Sequence, residues 1–401
     1  MHVSILVSTG AWGGAELYCV ALMKRLLARG HEISVVELKG DIYSRFLHYY
    51  VQRVKVLNLS LAKPTESLTL KEAYEVLSAL PRDVGVLAKG DFDTANWQLD
   101  FVARLWFRCF VSLEFLRPPS MPIRSSRTYF GVLPAVSLWW LQLRARRIAR
   151  SLGPHLVVTI SEEVRQGLIQ NYRFSPNKTL TVYGGVDTSL FQPEPAFRHD
   201  SRASWGIDED AFVFGAVARL AAVKGFPVAI QLFQQLIREG LKRDTYLVLV
   251  GNGPEESELK VQAKATGLGE KIIFRDFTRE PWRAFSGFDV FVMPSVTEGL
   301  GLALLESMAC GCPGIAMDVG GVGEIITSSE VGWLIPEGSR EAFFAAMKEA
   351  IELPTEQLVA MGKRARDRVT SHFEAKIHFE HLAEVIESAN SEGYCCKVNE
   401  R

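Results

Sequence analysis

Residues 3–38 read VSILVSTGAWGGAELYCVALMKRLLARGHEISVVEL, and this stretch decides the class of fold. A short β-branched run, Val3–Val7, stops at Ser-Thr-Gly. Gly13-Gly14-Ala15-Glu16 follows, then an apolar helical pattern over Leu17–Ala28 that Gly30 closes. His31–Leu38 reads as the next strand. Strand, glycine loop, helix and strand make a βαβ opening, and hence a parallel sheet with buried strands.

Working outward, the same alternation continues. Val54–Leu57, Val84–Leu87, Cys109–Leu113 and Leu156–Ile160 read as strands, while the Pro- and Arg-rich stretch 114–137 reads as a long loop. The pattern then starts again: strand Ala211–Val217, loop Ala218–Gly225, helix Val228–Glu239, strand Tyr246–Val250, loop Gly251-Asn252-Gly253-Pro254, helix Glu255–Thr266. Strands are expected at Lys271–Phe274, Asp289–Met293, Gly314–Met317 and Trp333–Ile335, and helices over 341–351, 355–371 and 377–388.

A chain of 401 residues exceeds the roughly 250–300 at which a single core stops growing. Two α/β domains in tandem are therefore expected. The junction falls near Val182–Arg198, where Gly184-Gly185, Pro193 and Pro195 cluster. The expected division is an N-terminal domain over 1–183, a linker over 184–198, and a second domain over 199–375. A helix over 376–390 would return toward the first domain, followed by a polar tail over 391–401. Open parallel sheets bind ligands beyond the carboxyl ends of their strands, so two such domains facing each other would hold a ligand in the cleft between them.

Net charge is -1 overall but unevenly placed. Residues 1–180 carry 23 Lys/Arg against 14 Asp/Glu, and residues 181–401 carry 22 against 32. The excess concentrates in 101–150, with nine arginines against the single acid Glu114. Such a basic half favours a phosphate-bearing or membrane-surface partner over DNA, although a solvated positive face would read the same way.

The six cysteines, 19, 109, 310, 312, 395 and 396, lack the paired spacing of a structural zinc site, and a reduced cytosolic compartment with buried thiols is expected. MHVSILVSTG is too short and too lightly charged to read as a secretory signal. The longest uncharged apolar stretch, Tyr129–Leu143, is fifteen residues and falls short of a membrane span.

Two constellations carry chemistry. In PSVTEGLGLALLESMAC, residues 294–310, a strand ends at Pro294-Ser295 and a helix is expected from about Leu302 to Cys310. Glu298 lies in the loop, where Gly299 and Gly301 permit close backbone approach. Glu306 lies about 6 Å further along the helix axis. The free N–H groups of the helix start favour an anion. Carboxylates only accept hydrogen bonds and suit sugar and ribose hydroxyls. A helix-capping glutamate that also partners a nearby arginine is the competing reading of Glu298. The second constellation is ARLAAVKGF, residues 218–226, where Arg219 and Lys224 in a strand-to-helix loop suit two phosphates.

Together these residues resemble the donor-site signatures of the retaining GT-B glycosyltransferases of family 4, also called glycosyl transferases group 1. Glu298 and Glu306 match that family's E-x7-E pattern, and Arg219 and Lys224 match its phosphate-loop cations. Gly13-Gly14-Ala15-Glu16 resembles its first loop, Gly30-His31-Glu32 its entry to strand two, and Gly185-Val186-Asp187…Phe191-Gln192-Pro193 its linker.

The resemblance implies a GT-B architecture of two Rossmann-like, doubly wound domains facing across a cleft. It implies transfer of a sugar from a nucleotide diphosphate sugar to a lipid-linked, lipopolysaccharide or other glycan acceptor, with retention and without a bound metal or other cofactor. Arg219 and Lys224 would hold the diphosphate and Glu306 the ribose. Glu298 would meet the donor sugar, framed by Gly299, Leu300, Gly301 and Leu302. Gly13 and Gly14 would let the first loop close on the phosphates. The partners expected are a donor, an acceptor and no nucleic acid. The protein is expected in the cytoplasm, with contact between its basic 101–150 region, which includes Trp139 and Trp140, and an anionic membrane's inner face.

The chain departs from the family pattern at three places, the least consequential being Tyr183-Gly184 in the linker, where Pro-Asn is common. No histidine occurs between His48 and His155, where many members carry one, and Glu114 stands near that place, as a catalytic candidate or as a salt-bridge partner of an arginine. Leu300 replaces the usual aromatic of the E-G-F-G motif. Asp91-Phe92-Asp93 follows a different strand and carries little weight as a metal site. Competing readings are a soluble disaccharide or polysaccharide synthase of the same fold, and a catalytically weak binding or partner subunit. A dehydrogenase fits poorly, since the first loop lacks G-x-G-x-x-G.

Overall fold

The computed structural model describes residues 1–8, 14–39, 47, 51, 54–58, 70–89, 103–114, 155–172, 174–240 and 243–390. The chain forms two compact units, Met1–Val182 joined by the chain from Phe379, and Tyr183–His378.

The first unit is built on β1 (His2–Ser8), β2 (Glu32–Lys39), β3 (Lys55–Asn58), β4 (Val84–Lys89), β5 (Cys109–Glu114), β6 (Leu156–Thr159) and β7 (Thr179–Thr181). They lie in the order β3-β2-β1-β4-β5-β6-β7, every pair parallel. β5 and β6 are buried along their whole length, as a parallel sheet covered on both faces requires. Leu6, Val36, Leu87 and Phe110 of the sheet pack with Val76 and Leu77 of the helix Leu70–Ser78.

The second unit repeats the plan with β8 (Phe212–Val217), β9 (Thr245–Val250), β10 (Ile272–Arg275), β11 (Val290–Met293), β12 (Gly314–Met317) and β13 (Gly332–Ile335). Their order is β10-β9-β8-β11-β12-β13, again all parallel. The connections from β8 and from β11 therefore leave in opposite directions, which makes the β8/β11 boundary the switch point of this sheet. The helix after β8, Phe226–Arg238, buries Phe226, Ala229, Ile230, Phe233 and Leu236, the three-and-four spacing of one helical face.

The segment 184–198, read from its prolines as a linker, holds a helix start. Pro195–Trp205 begins there, with Pro195 in its first turn and the Glu194 side chain accepting from the Ala196 N–H. Its Arg202 is fully buried and donates to the carbonyls of Gly287, Glu209 and Ala211 and to Asp289 Oδ2. Upstream, Val186 exchanges backbone hydrogen bonds with Phe373 and Ala375 at 2.9 and 3.0 Å.

The last helix, Ala375–Asn390, packs Phe379 edge-on against Tyr18 at 4.7 Å. Glu380 pairs with Arg25 and Arg29, and Glu387 with Arg29 and with His31 Nε2 at 2.6 Å. His31 is a structural residue of this clasp. Among the described residues no helix is long and apolar enough to cross a membrane. Cys19, Cys109, Cys310 and Cys312 are buried thiols outside any disulfide. Cys395 and Cys396, Asp91 and Asp93, Trp139 and Trp140, and most of the arginine-rich stretch lie outside the described residues.

Candidate active site

Two loops meet at the switch point of the second sheet. The loop 218–225 leaves the carboxyl end of β8, and the loop 294–301 leaves that of β11. Val296 N–H donates to the Val223 carbonyl at 2.8 Å. Gly225 has φ +68° and ends the short turn Ala222–Lys224 just before the helix Phe226–Arg238. A Cβ at Gly225 would overlap the Pro294 carbonyl, so only glycine serves both the left-handed backbone and the close approach.

This junction brings Lys224 and Glu298 together. Lys224 Nζ donates to Glu298 Oε1 at 2.7 Å, and Ser295 Oγ donates to the same oxygen at 2.6 Å. Glu298 is 8 % exposed, and both donors reach the same oxygen of its carboxylate, Oε1. It does not cap the following helix, whose N-cap position is Gly301. The competing capping reading is thereby set aside, while its cation-pairing part is realised by a lysine.

The helix Leu302–Ala309 starts immediately afterwards, with the Leu304 and Leu305 N–H groups bonded to the Gly301 carbonyl. Among the described residues the N–H groups of Leu302 and Ala303, in the first turn, have no acceptor, and free donors at a helix start suit an anion. Glu306 follows one turn later. Its surroundings hold little water, and this desolvation pushes its carboxyl up to about 8. Among the described residues no side chain pairs with it. Leu300 is buried.

Arg219 is exposed and has no ion-pair partner among the described residues. Its loop is tied to the loop after β9, where Leu220 N–H donates to the Asn252 carbonyl at 2.9 Å. Asn252 Oδ1 in turn accepts from Phe277 N–H at 2.6 Å, after β10. Sequence reading missed Ser295 and Asn252. A serine at a strand end and an asparagine between glycines carry no signal beyond turn chemistry.

In the first unit, Gly14 opens the helix Gly14–Ala28, and Gly13 lies outside the described residues. Glu114 ends β5 and is buried, with Ser112 Oγ donating to its Oε1 at 2.7 Å. Among the described residues no group of three or more His, Cys, Asp and Glu is arranged to hold a metal.

Two parallel, doubly wound sheets of this kind, the second with the Lys224–Glu298 pair at its switch point, are the plan of a GT-B protein. Comparison with known proteins agrees. Residues 197–368 match the family model "Glycosyl transferases group 1", and residues 12–190 match "Glycosyltransferase Family 4". A GDP-mannose-dependent alpha-(1-6)-phosphatidylinositol monomannoside mannosyltransferase of Mycolicibacterium smegmatis is 26% identical over 386 residues, covering 93% of this chain and 94% of its own. An uncharacterized glycosyltransferase of Methanocaldococcus jannaschii is 23% identical over 335 residues, covering 81% and 82%. The crystal structure of HepE from Anabaena, in complex with UDP and glucose, superposes with a TM-score of 0.77 at 20% identity, covering 97% of this chain and 100% of that one. The chain is a glycosyltransferase of GT-B fold, related to group 1 and family 4. It is an enzyme of the class that uses nucleotide-sugar donors.

Proposed function

We propose that this enzyme transfers the sugar with retention of its anomeric configuration, using Arg219, Lys224, Glu298 and Glu306 as its donor site. The observation that carries the reading is the Lys224–Glu298 contact at the β8/β11 switch point, a cation and a carboxylate held beside an open helix start. In the proposed reaction the bond from the sugar C1 to the β-phosphate oxygen breaks, and its electron pair leaves with the nucleotide. The acceptor hydroxyl bonds to C1 on the face the nucleotide vacates, and its proton passes to the departing phosphate. Negative charge thus grows on the diphosphate while the sugar becomes oxocarbenium-like. Fixed cations aimed at that charge stabilise the transition state more than the bound donor.

Arg219 takes the diphosphate as a fork and Lys224 as a point charge. The helix start behind Gly299, Leu300, Gly301 and Leu302 supplies further N–H donors. These groups meet the leaving group's need for positive charge from the chain itself, so the reading calls for no resident metal. Glu306 accepts the ribose hydroxyls and Glu298 those of the sugar. Gly13 and Gly14 give the first loop room beside the phosphates, and Glu114, in the histidine's place, is the acceptor-side candidate.

The acceptor is proposed to be lipid-linked or another glycan, used at the cytosolic face of a membrane. The arginine-rich stretch 101–150 and the likeness to a mannosyltransferase named for a phosphatidylinositol mannoside support this reading. Binding to a panel of UDP-, GDP- and ADP-sugars tests it. Saturable binding of one nucleotide class, lost in the Arg219→Ala, Lys224→Ala double variant, is expected. A folded protein that binds none of them would overturn it.

A further inference from the structure

Glu298 is a donor-site carboxylate with a built-in complication: its ion-pair partner, Lys224, is also wanted by the diphosphate. When a phosphate draws the Lys224 ammonium, Glu298 loses one of its two donors at the moment it has to meet the sugar. The structure supplies a second hold. Ser295 is 2 % exposed, and its hydroxyl donates to the same Oε1 that Lys224 uses. Both donors converge on Oε1, and among the described residues nothing bonds to Oε2.

The backbone under Glu298 is fixed as well. A Cβ at Gly320 would overlap the Glu298 carbonyl, and Gly321 N–H donates to the Gly299 carbonyl at 3.0 Å. With the main chain clamped from below, the remaining freedom of Glu298 is rotation of its side chain. One hydrogen bond to a charged oxygen suffices to select a rotamer, because such bonds are among the stronger ones in proteins. A buried serine hydroxyl without this acceptor would be left unsatisfied, so the bond persists when the lysine departs.

We propose that Ser295 is the positioning residue of the donor site: it holds Glu298 by Oε1, independently of Lys224, so that Oε2 stays aimed at a hydroxyl of the transferred sugar. Resting on the donor-site reading above, this goes beyond it by assigning a role to a residue outside the four-residue constellation. The division of labour is specific. Lys224 is exchangeable between Glu298 and phosphate, whereas Ser295 stays with Glu298 in both states.

The test compares a nucleotide with its sugar conjugate on the full chain. Affinities of UDP and UDP-glucose, GDP and GDP-mannose, and ADP and ADP-glucose are measured by calorimetry for wild type, Ser295→Ala, Ser295→Cys and Ser295→Thr. For whichever pair binds, Ser295→Ala is expected to leave nucleotide affinity within about twofold and to weaken the nucleotide sugar about tenfold. Cysteine, a near-isostere but a poor donor, behaves like alanine. Threonine, which keeps the hydroxyl, retains the sugar's contribution. Should Ser295→Ala fail to fold, the Cys-against-Thr comparison asks the same question.

Equal losses for nucleotide and conjugate, or no loss for either, would overturn the positioning role while leaving the donor site standing. Failure of wild type to bind any nucleotide would overturn the donor-site reading and this proposal with it.

Discussion

Gly225 and Pro294 touch where no side chain could stand between them: the glycine's α-carbon faces the Pro294 carbonyl across the β8/β11 switch point. This contact sets the separation of the two loops that carry Lys224 and Glu298. Alanine at 225 would meet both a left-handed backbone, φ +68°, and that carbonyl. Gly225→Ala is expected to cost about 1–3 kcal/mol of stability and to weaken nucleotide binding about tenfold, since the loops must part. Chemical denaturation and calorimetry check the two effects, and an unchanged affinity would show that loop spacing does not matter.

With the ribose role proposed for it, Glu306 is expected to make nucleotide binding pH-dependent. Its carboxyl, pushed up to about 8 by desolvation, is largely neutral at pH 6 and ionised by pH 9. Ribose hydroxyls donate better to the charged form, so nucleotide affinity is expected to rise as pH increases through 8. In Glu306→Gln the rise disappears.

The same group acts on stability with the opposite slope. A folded-state pKa above the unfolded value means that the native chain holds more protons between about pH 4.5 and 8, so stability declines as pH rises across that window. Urea denaturation at pH 5 and pH 8 should show a smaller decline in Glu306→Gln than in wild type. Equal declines would mean that other groups dominate.

Glu387 behaves in the reverse sense. The Arg29 guanidinium, helped by the hydrogen bond from His31, holds its carboxyl down to about 2. The stabilisation this gives is therefore complete above the unfolded value near 4.5, and is lost as pH falls toward 2. Glu387→Gln should speed amide exchange over 379–390 at pH 6, reflecting about 1 kcal/mol or less for a pair partly open to water. The difference from wild type should shrink at pH 3.

Arg202 is a buried cation whose hydrogen bonds go to carbonyls and to Asp289. Removing it leaves Asp289 with Arg198 Nη2 at 2.8 Å and the Val213 N–H at 2.7 Å, but takes one of its two cations away and deprives the carbonyls of Gly287, Glu209 and Ala211 of their donor. Arg202→Ala is expected to destabilise the second unit by about 3–5 kcal/mol. Thermal unfolding checks this, and a loss under 1 kcal/mol would show that Asp289 finds other partners.

Much of the fold was legible in the chain because its signals are local. Buried parallel strands show as short apolar runs, and the loops after β1, β8, β9 and β11 announce themselves by glycines beside charged residues. Other elements were hidden by ambiguous composition. The first four residues of the helix Pro195–Trp205 fall in the expected linker because Pro193 and Pro195 look like breakers, although Pro195 in a first turn starts a helix. The helix Pro281–Gly287 offered too few residues for a period to show.

The sequence alone determined the alternation of strand and helix, the two carboxylates eight positions apart and the two cations in a strand-to-helix loop. These depend on neighbours within a turn or two of chain. It could not determine that Lys224 and Glu298 share an ion pair across a sequence separation of 74, or that Ser295 joins them on the same oxygen. Nor could it show that Arg202 is enclosed or that Glu387 reaches Arg29 and His31. Those contacts exist because β8 and β11 become neighbours only when the sheet assembles in its β10-β9-β8-β11-β12-β13 order, and because the last helix docks on the first. Pairing between strands distant in sequence is a property of the assembled sheet, and only the tertiary structure decides it.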